Sequence, residues 1–136
     1  MNKIVTRVLA AAFLTAGLVT PAAAVPAPSP TEDGHVYLSV RGTDPTTGPW
    51  TEDVWLDCPG EEGVNHPHRE GACTALDYAD GNLDRLPGDK NRVCPTVHEP
   101  VTATAHGTYE GHEIHWERTV PSNCELLRAT GDVFLY

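Results

Sequence analysis

Four cysteines, Cys58, Cys73, Cys94 and Cys124, constrain this chain more than any other feature of its sequence. What they do depends on the compartment the chain folds in, and the N-terminus speaks to that. Lys3 and Arg7 precede an apolar run from Val8 to Val19, which closes at Pro21-Ala22-Ala23-Ala24. Positive residues, a short apolar stretch and an Ala-x-Ala site, in that order, form a signal peptide. The run is well short of the roughly 20 residues that span a bilayer. We therefore expect residues 1–24 to be cleaved and the mature chain to be secreted. In an exported chain an even set of cysteines reads as two disulfides. No Cys-x-x-Cys pair is present, so a structural zinc site has little support. Four cysteines permit three pairings. Joining sequence neighbours, Cys58 with Cys73 and Cys94 with Cys124, closes loops worth roughly 3–4 kcal/mol each if loop-closure entropy dominates.

Charge narrows the partners. The chain carries 9 Lys/Arg against 19 Asp/Glu, a formal charge of −10, and loss of Lys3 and Arg7 with the leader takes it to −12. An acidic surface speaks against nucleic acid and anionic membranes. What remains is long enough for one domain with a modest core.

Residues 25–34 are Pro-rich and lack core periodicity, so a flexible arm is expected before a domain over 35–136. His35 to Arg41 alternates as a first strand, and Trp50 to Cys58 as a second, with Val54, Leu56 and Cys58 on one face. A turn-rich link, Gly42 to Pro49, joins them. Ala72 to Ala79 fits a helix ending at Gly81, and one further helical turn fits near Leu83-Asp84-Arg85-Leu86. Alternation from Val101 to Ala105 and from Ile114 to Arg118, around Tyr109-Glu110-Gly111-His112, predicts a β-hairpin. Val133 to Tyr136 is expected to form a last short strand. The fold class is therefore α+β: a five-stranded antiparallel sheet covered on one face by one or two short helices, with two disulfides.

The segment Val93-Cys94-Pro95-Thr96-Val97-His98-Glu99-Pro100 combines unusual restraints. Pro95 and Pro100 fix their own φ and push Cys94 and Glu99 toward extended backbone. Val97 is β-branched and stiff. With Cys94 in a disulfide, the segment should be an extended, exposed loop tied to the sheet. A rigid extended loop suits a protease cleft, because pre-organisation lowers the entropy cost of binding. The plainer reading is a surface loop shaped by its prolines.

The chain resembles the Streptomyces subtilisin inhibitor family from Val36 to Tyr136. The residues that carry the likeness are His66-Pro67, Ala72-Cys73-Thr74-x-Leu76, Val93-Cys94-Pro95-x-Val97, Glu99-Pro100-Val101, Glu117-Arg118, Cys124-Glu125 and Val133-Phe134. The resemblance implies secreted, homodimeric inhibitors of extracellular serine proteases, chiefly subtilisin-like. It implies no enzyme activity, no cofactor, and the neighbour disulfides Cys58–Cys73 and Cys94–Cys124. It places the reactive bond at Thr96-Val97, with Val93, Cys94 and Pro95 lining the protease cleft upstream and His98 and Glu99 downstream. Three departures stand out. Thr96 occupies a position where the family usually carries Met, Leu, Lys or Arg. Ser122 stands where a loop-bracing Asn is usual, with Asn123 displaced by one. Gly63-Val64-Asn65-His66-Pro67 is one residue longer between Gly and His. Thr96 lacks the cation a trypsin-type pocket needs and underfills a large apolar one.

Seven histidines invite a metal reading, through His66-x-His68 or His112-x-x-His115. On a strand His112 and His115 face opposite sides and do not converge, so the expectation is solvated histidines and no metal. No Gly-x-Ser-x-Gly elbow is present. Two rivals to inhibition therefore stand: a secreted binding module that keeps the fold without inhibiting, and a small metal-dependent enzyme.

Overall fold

The computed structural model describes residues 34–59 and 66–136. The expected leader at 1–24, nearly all of the 25–34 arm, and the Gly63-Val64-Asn65 insertion lie outside the described residues. Among those that are described, no helix is long and apolar enough to cross a membrane.

The sheet forms from two hairpins. β1 (Gly34–Asp44) and β2 (Gly48–Cys58) make the first, and β3 (Val101–Tyr109) and β4 (His112–Val120) the second. All pairs are antiparallel, in the order β2-β1-β3-β4. Alternation decides the faces: Val36, Leu38 and Val40 of β1, with Leu56 of β2 and Ala103 and Ala105 of β3, are buried on one side. The strands of the first hairpin run further than expected and absorb most of the Gly42–Pro49 link. Pro49 is tolerated because β2 is an edge strand, where a missing N–H costs little. The turn is closed by the Asp44 carboxylate, which accepts from the Thr46 and Thr47 backbone N–H groups at 2.7 and 2.8 Å. A further bond from the Thr46 hydroxyl, with these two amides, lowers the Asp44 pKa to about 2. The second hairpin turns on Glu110 and Gly111, both with positive φ, 47° and 77°. That is the two-residue primed turn whose twist suits a hairpin.

Both helices cover the same face. α1 (Arg69–Tyr78) presents Ala72, Ala75 and Leu76 to the sheet at helical spacing. It starts three residues before the expected Ala72, adding a polar first turn. Cys58 and Cys73 bond across 5.7 Å between their Cα atoms and pin α1 to the end of β2. A 3-10 turn over Leu83–Arg85 follows, close to its expected place. α2 (Asn123–Thr130) begins at Ser122, whose hydroxyl accepts from the Glu125 N–H at 3.3 Å. No helix was expected here; the Ser-x-x-Glu pattern before Leu126-Leu127 is the sequence signal that marks its start.

Among the described residues the sheet has four strands, not five. Val133 to Tyr136, expected as a strand, instead lies in and just after a 3-10 turn spanning Gly131–Phe134. Successive strand residues point to opposite faces. Val133 and Phe134 are adjacent and both buried, at 0% and 3% exposure, which a one-sided strand cannot achieve. The tight turn drives both into the core instead, with Phe134 beside Trp116 at a ring separation of 5.6 Å. This turn packs on α1 and α2 together.

His66 ties that turn to the segment entering α1. It is 4% exposed. Its Nε2–H donates to the Val133 carbonyl at 3.0 Å, and its Nδ1 accepts from the His68 N–H at 3.1 Å. These bonds define one neutral tautomer. Burial, above all, lowers the His66 pKa below its ordinary value.

Two outcomes follow from these contacts. Glu110 holds a left-handed conformation that Asn accepts more readily, so Glu110→Asn should stabilise the domain by about 0.5–1 kcal/mol in denaturant melts. His66 is harder to protonate when folded than when unfolded. Below the unfolded value near ~6.5 the unfolded chain binds the extra proton. Stability should therefore fall as pH drops from about 6.5 toward the lower folded value, by at most about 1.4 kcal/mol per pH unit, and level off below it. His66→Gln should fold less stably at pH 7, yet show a flatter dependence across that window. An unchanged slope in urea melts would remove His66 as the cause.

Candidate functional site

From Leu86 to Pro100 the chain has no regular secondary structure, so its order must come from elsewhere. Four ties supply it. Gly88 has φ +63 and lies against the carbonyls of Arg128 and Ala129, where a Cβ would collide. Asp89 N–H donates to the Arg128 carbonyl at 3.0 Å, joining the loop to the C-terminal turn of α2. Cys94 bonds Cys124 in the first turn of α2, with Cα atoms 5.7 Å apart. Glu99 N–H donates to the Pro121 carbonyl at 3.0 Å. Val101, paired with Val120, then opens β3.

Between the second pair of ties, Pro95, Thr96, Val97 and His98 stand exposed. Val93 is 91% and Val97 41% exposed, unusual for valines. The feature is convex. A crevice of about 630 Å³ lies elsewhere, between α1 and the Gly88-Asp89 segment. An exposed, clamped loop presents its side chains outward rather than enclosing a ligand.

The loop is not extended throughout, as its sequence led us to expect. Val97 N–H donates to the Pro95 carbonyl at 2.9 Å, closing a three-residue turn centred on Thr96. Positive φ among described non-glycine residues occurs only at Asp80 and Glu110, so Thr96 has negative φ and the turn is the inverse γ form. The cause is local: Val97 N–H has no neighbouring strand to pair with and takes the nearest carbonyl.

Ser122 does not brace the loop, because its hydroxyl is spent on capping α2. The brace near it is the backbone carbonyl of Pro121. Asn123 is exposed and lines a small crevice with Glu99, Val101 and Trp50 beneath the downstream half of the loop. Beside the loop's root, Lys90, Arg118 and Arg128 share an open crevice with Glu125, which pairs with Arg128 at 2.6 Å. In an acidic molecule this is a local concentration of cations, and no sequence spacing announced it.

The histidine pairs were expected to be solvated; that holds for His68, His112 and His115, which are exposed, but not for His66. His66 is buried with both ring nitrogens occupied, and its Nδ1 holds the His68 backbone rather than the His68 ring. His112 and His115 stand at positions of opposite parity on β4. Among the described residues no group of three or more His, Cys, Asp or Glu converges on one point.

Comparison with known proteins places this architecture. Residues 33–123 match the model of the family described as subtilisin inhibitor-like. Subtilisin inhibitor-like protein 5 of Streptomyces fradiae is 34% identical over 101 residues, 74% of this chain and 94% of that protein. The subtilisin inhibitor of Streptomyces albogriseolus is 32% identical over 97 residues, 71% of this chain and 67% of that one. Among solved structures, Streptomyces caespitosus sermetstatin in complex with Bacillus licheniformis subtilisin superposes with a TM-score of 0.56 at 27% identity, covering 76% of this chain and 99% of that one. The family is one of protease inhibitors, not enzymes. The chain belongs to the subtilisin inhibitor-like family.

Proposed function

We propose that this chain is a secreted, homodimeric inhibitor of extracellular subtilisin-like serine proteases, acting through residues 93–99 with Thr96-Val97 as the reactive bond. The observation that carries the reading is the double clamp around the exposed tip. Cys94 is bonded to Cys124 on one side, and Glu99 is held by Pro121 on the other. A protease that accepts the tip as substrate and cuts it gains little, because both new ends stay in place. Religation of neighbouring ends then competes with hydrolysis. Pre-organisation also reduces the ordering cost of binding. The sermetstatin complex with subtilisin supports a serine protease of that type as the partner. The leader-like N-terminus supports export. Val93, Cys94 and Pro95 occupy the upstream subsites, and His98 and Glu99 the downstream ones.

Thr96 sets the strength. Its short polar side chain fills a large apolar pocket poorly, and one missing methylene in such a pocket is worth about 1–3 kcal/mol. Thr96→Met should therefore tighten binding to subtilisin by roughly 10–100-fold in a titration of residual protease activity. Unchanged or weaker binding would move the reactive bond elsewhere. A wild-type chain that binds without blocking activity would instead identify a non-inhibitory binding module.

The clamp has its own test. Replacing both Cys94 and Cys124 by Ser should cost about 2–4 kcal/mol of stability. The variant should also turn from inhibitor to substrate, with mass spectrometry locating complete cleavage between Thr96 and Val97. Persistent inhibition by a folded double variant would show that the disulfide is not what holds the cut ends.

A further inference from the structure

The chain is acidic, and its few unpaired cations are not spread evenly. Of the 9 Lys and Arg residues, Lys3 and Arg7 lie in the expected leader, and Arg41, Arg85, Arg92 and Arg128 each pair with a carboxylate. Among the described residues that leaves Arg69, Lys90 and Arg118 without an ion pair. Lys90 and Arg118, both exposed, share the open crevice at the loop's root with Arg128 and Glu125, a space of about 450 Å³. Three cations against one carboxylate leave its lining formally positive, in a chain that is formally negative overall.

Three elements bring these charges together. Lys90 comes from the loop itself, next to Asp89, whose N–H donates to the Arg128 carbonyl. Arg128 stands in the last turn of α2. Arg118 comes from β4, where it shares parity with the buried Ile114 and Val120 and so lies on the helix-covered side of the sheet. A second copy of the chain seated on the uncovered face therefore leaves the crevice open. Glu125 offsets one of the three cations through its pair with Arg128. The other two repel each other, and an anion docked between them removes that cost.

We propose that this crevice docks carboxylates on the rim of the target protease's cleft, so that the chain favours serine proteases whose surface beside the cleft is acidic. The proposal rests on the reading of residues 93–99 as the inhibitory loop. Two observations besides charge carry it. The first is position. Pro121 lines the crevice and its carbonyl accepts the Glu99 N–H, so crevice and loop share a clamp. Glu99 is three residues past Thr96, at most ~11 Å of extended chain. A standard inhibitor interface takes about 800 Å² from each partner, a disc of radius ~16 Å. An enzyme centred on Thr96 therefore reaches the near edge of the crevice. The second is availability. Lys90 and Arg118 give up no internal ion pair on binding, and the planar guanidinium of Arg118 matches a carboxylate. Charges at the rim of an interface act on the rate of encounter and its salt dependence more than on the lifetime of the complex. The net negative charge of the chain opposes an acidic partner only weakly at contact, because exposed charges are screened beyond ~10 Å at 0.1 M salt.

The test uses Bacillus licheniformis subtilisin in two forms, native and succinylated, the second with its surface lysine ammonium groups converted to carboxylates. Association and dissociation rates come from progress curves with titrated active sites, at low and high salt. Against the succinylated enzyme at low salt, Lys90→Gln and Arg118→Gln should each slow association by about 1.5–5-fold, and together by more. The loss should shrink at high salt and with the native enzyme, and dissociation should change little. His112→Glu changes the formal charge by the same one unit at the far end of the second hairpin, ~27 Å along β3 from Val101. It should slow association less than either crevice variant. All three positions are exposed, and melting curves that match the parent chain should confirm that each variant folds. Equal slowing by His112→Glu would mean that net charge alone acts, and overturns the proposal. Inhibition that is blind to Lys90 and Arg118 overturns the docking site and leaves the inhibitory loop standing. A parent chain that inhibits neither form of the enzyme overturns both.

Discussion

The bond between Cys94 and Cys124 is the constraint on which the rest of the working surface depends. It joins a segment with no secondary structure to the first turn of α2, an element with its own cap and its own buried face. The order of the loop is borrowed from that helix. Every other tie runs to the same region: Gly88 and Asp89 to the C-terminal carbonyls of α2, Glu99 to Pro121 just before its cap. Loosen α2 and the loop loses both ends at once. Ser122 matters to the loop in this indirect way, through the helix it starts rather than through a contact with the tip.

The architecture is one-sided, and that asymmetry distributes the chemistry. Both helices and the 3-10 turn at Gly131–Phe134 close the core against one face of a four-stranded sheet. Burial there explains why widely separated sequence motifs recur together. His66 reaches Val133, and Trp116 reaches both Phe134 and the Asp84 carboxylate. The opposite face is left to polar residues and rings. The covered side also gathers charge at its edge, where Arg118 of β4 meets Lys90 and Arg128.

At the tip, scaffold and bait follow different rules. The scaffold is built from covalent and backbone restraints, which tolerate sequence change. In the proposed inhibitor the bait is a single side chain, Thr96, whose size and polarity would set the fit. Thr96 adds a local turn of its own, with Val97 N–H spent on Pro95. A partner that took Val97 N–H would exchange that hydrogen bond for another, and an exchange of neutral hydrogen bonds is worth little on balance.

Much was legible in the sequence because the signals are local and covalent. Alternation marked the four strands that form, Gly at 111 marked the hairpin turn, and the prolines and Cys94 marked the exposed loop. The α2 signal, Ser122 followed by Glu125, was present but had no long apolar period to reinforce it. Val133-Phe134 fits a strand by sequence but forms a 3-10 turn, because a short apolar run has no period of its own. Whether such a run alternates or buries two neighbours depends on what it packs against, and only α1 and the sheet decide that. The same reason governs the site. Sequence determined which residues stand at the tip and that they are restrained. Tertiary structure alone decided what restrains them and which cations gather at the loop's root. Such groupings are set by strand register and helix placement, which are long-range packing outcomes with no counterpart in nearest-neighbour sequence.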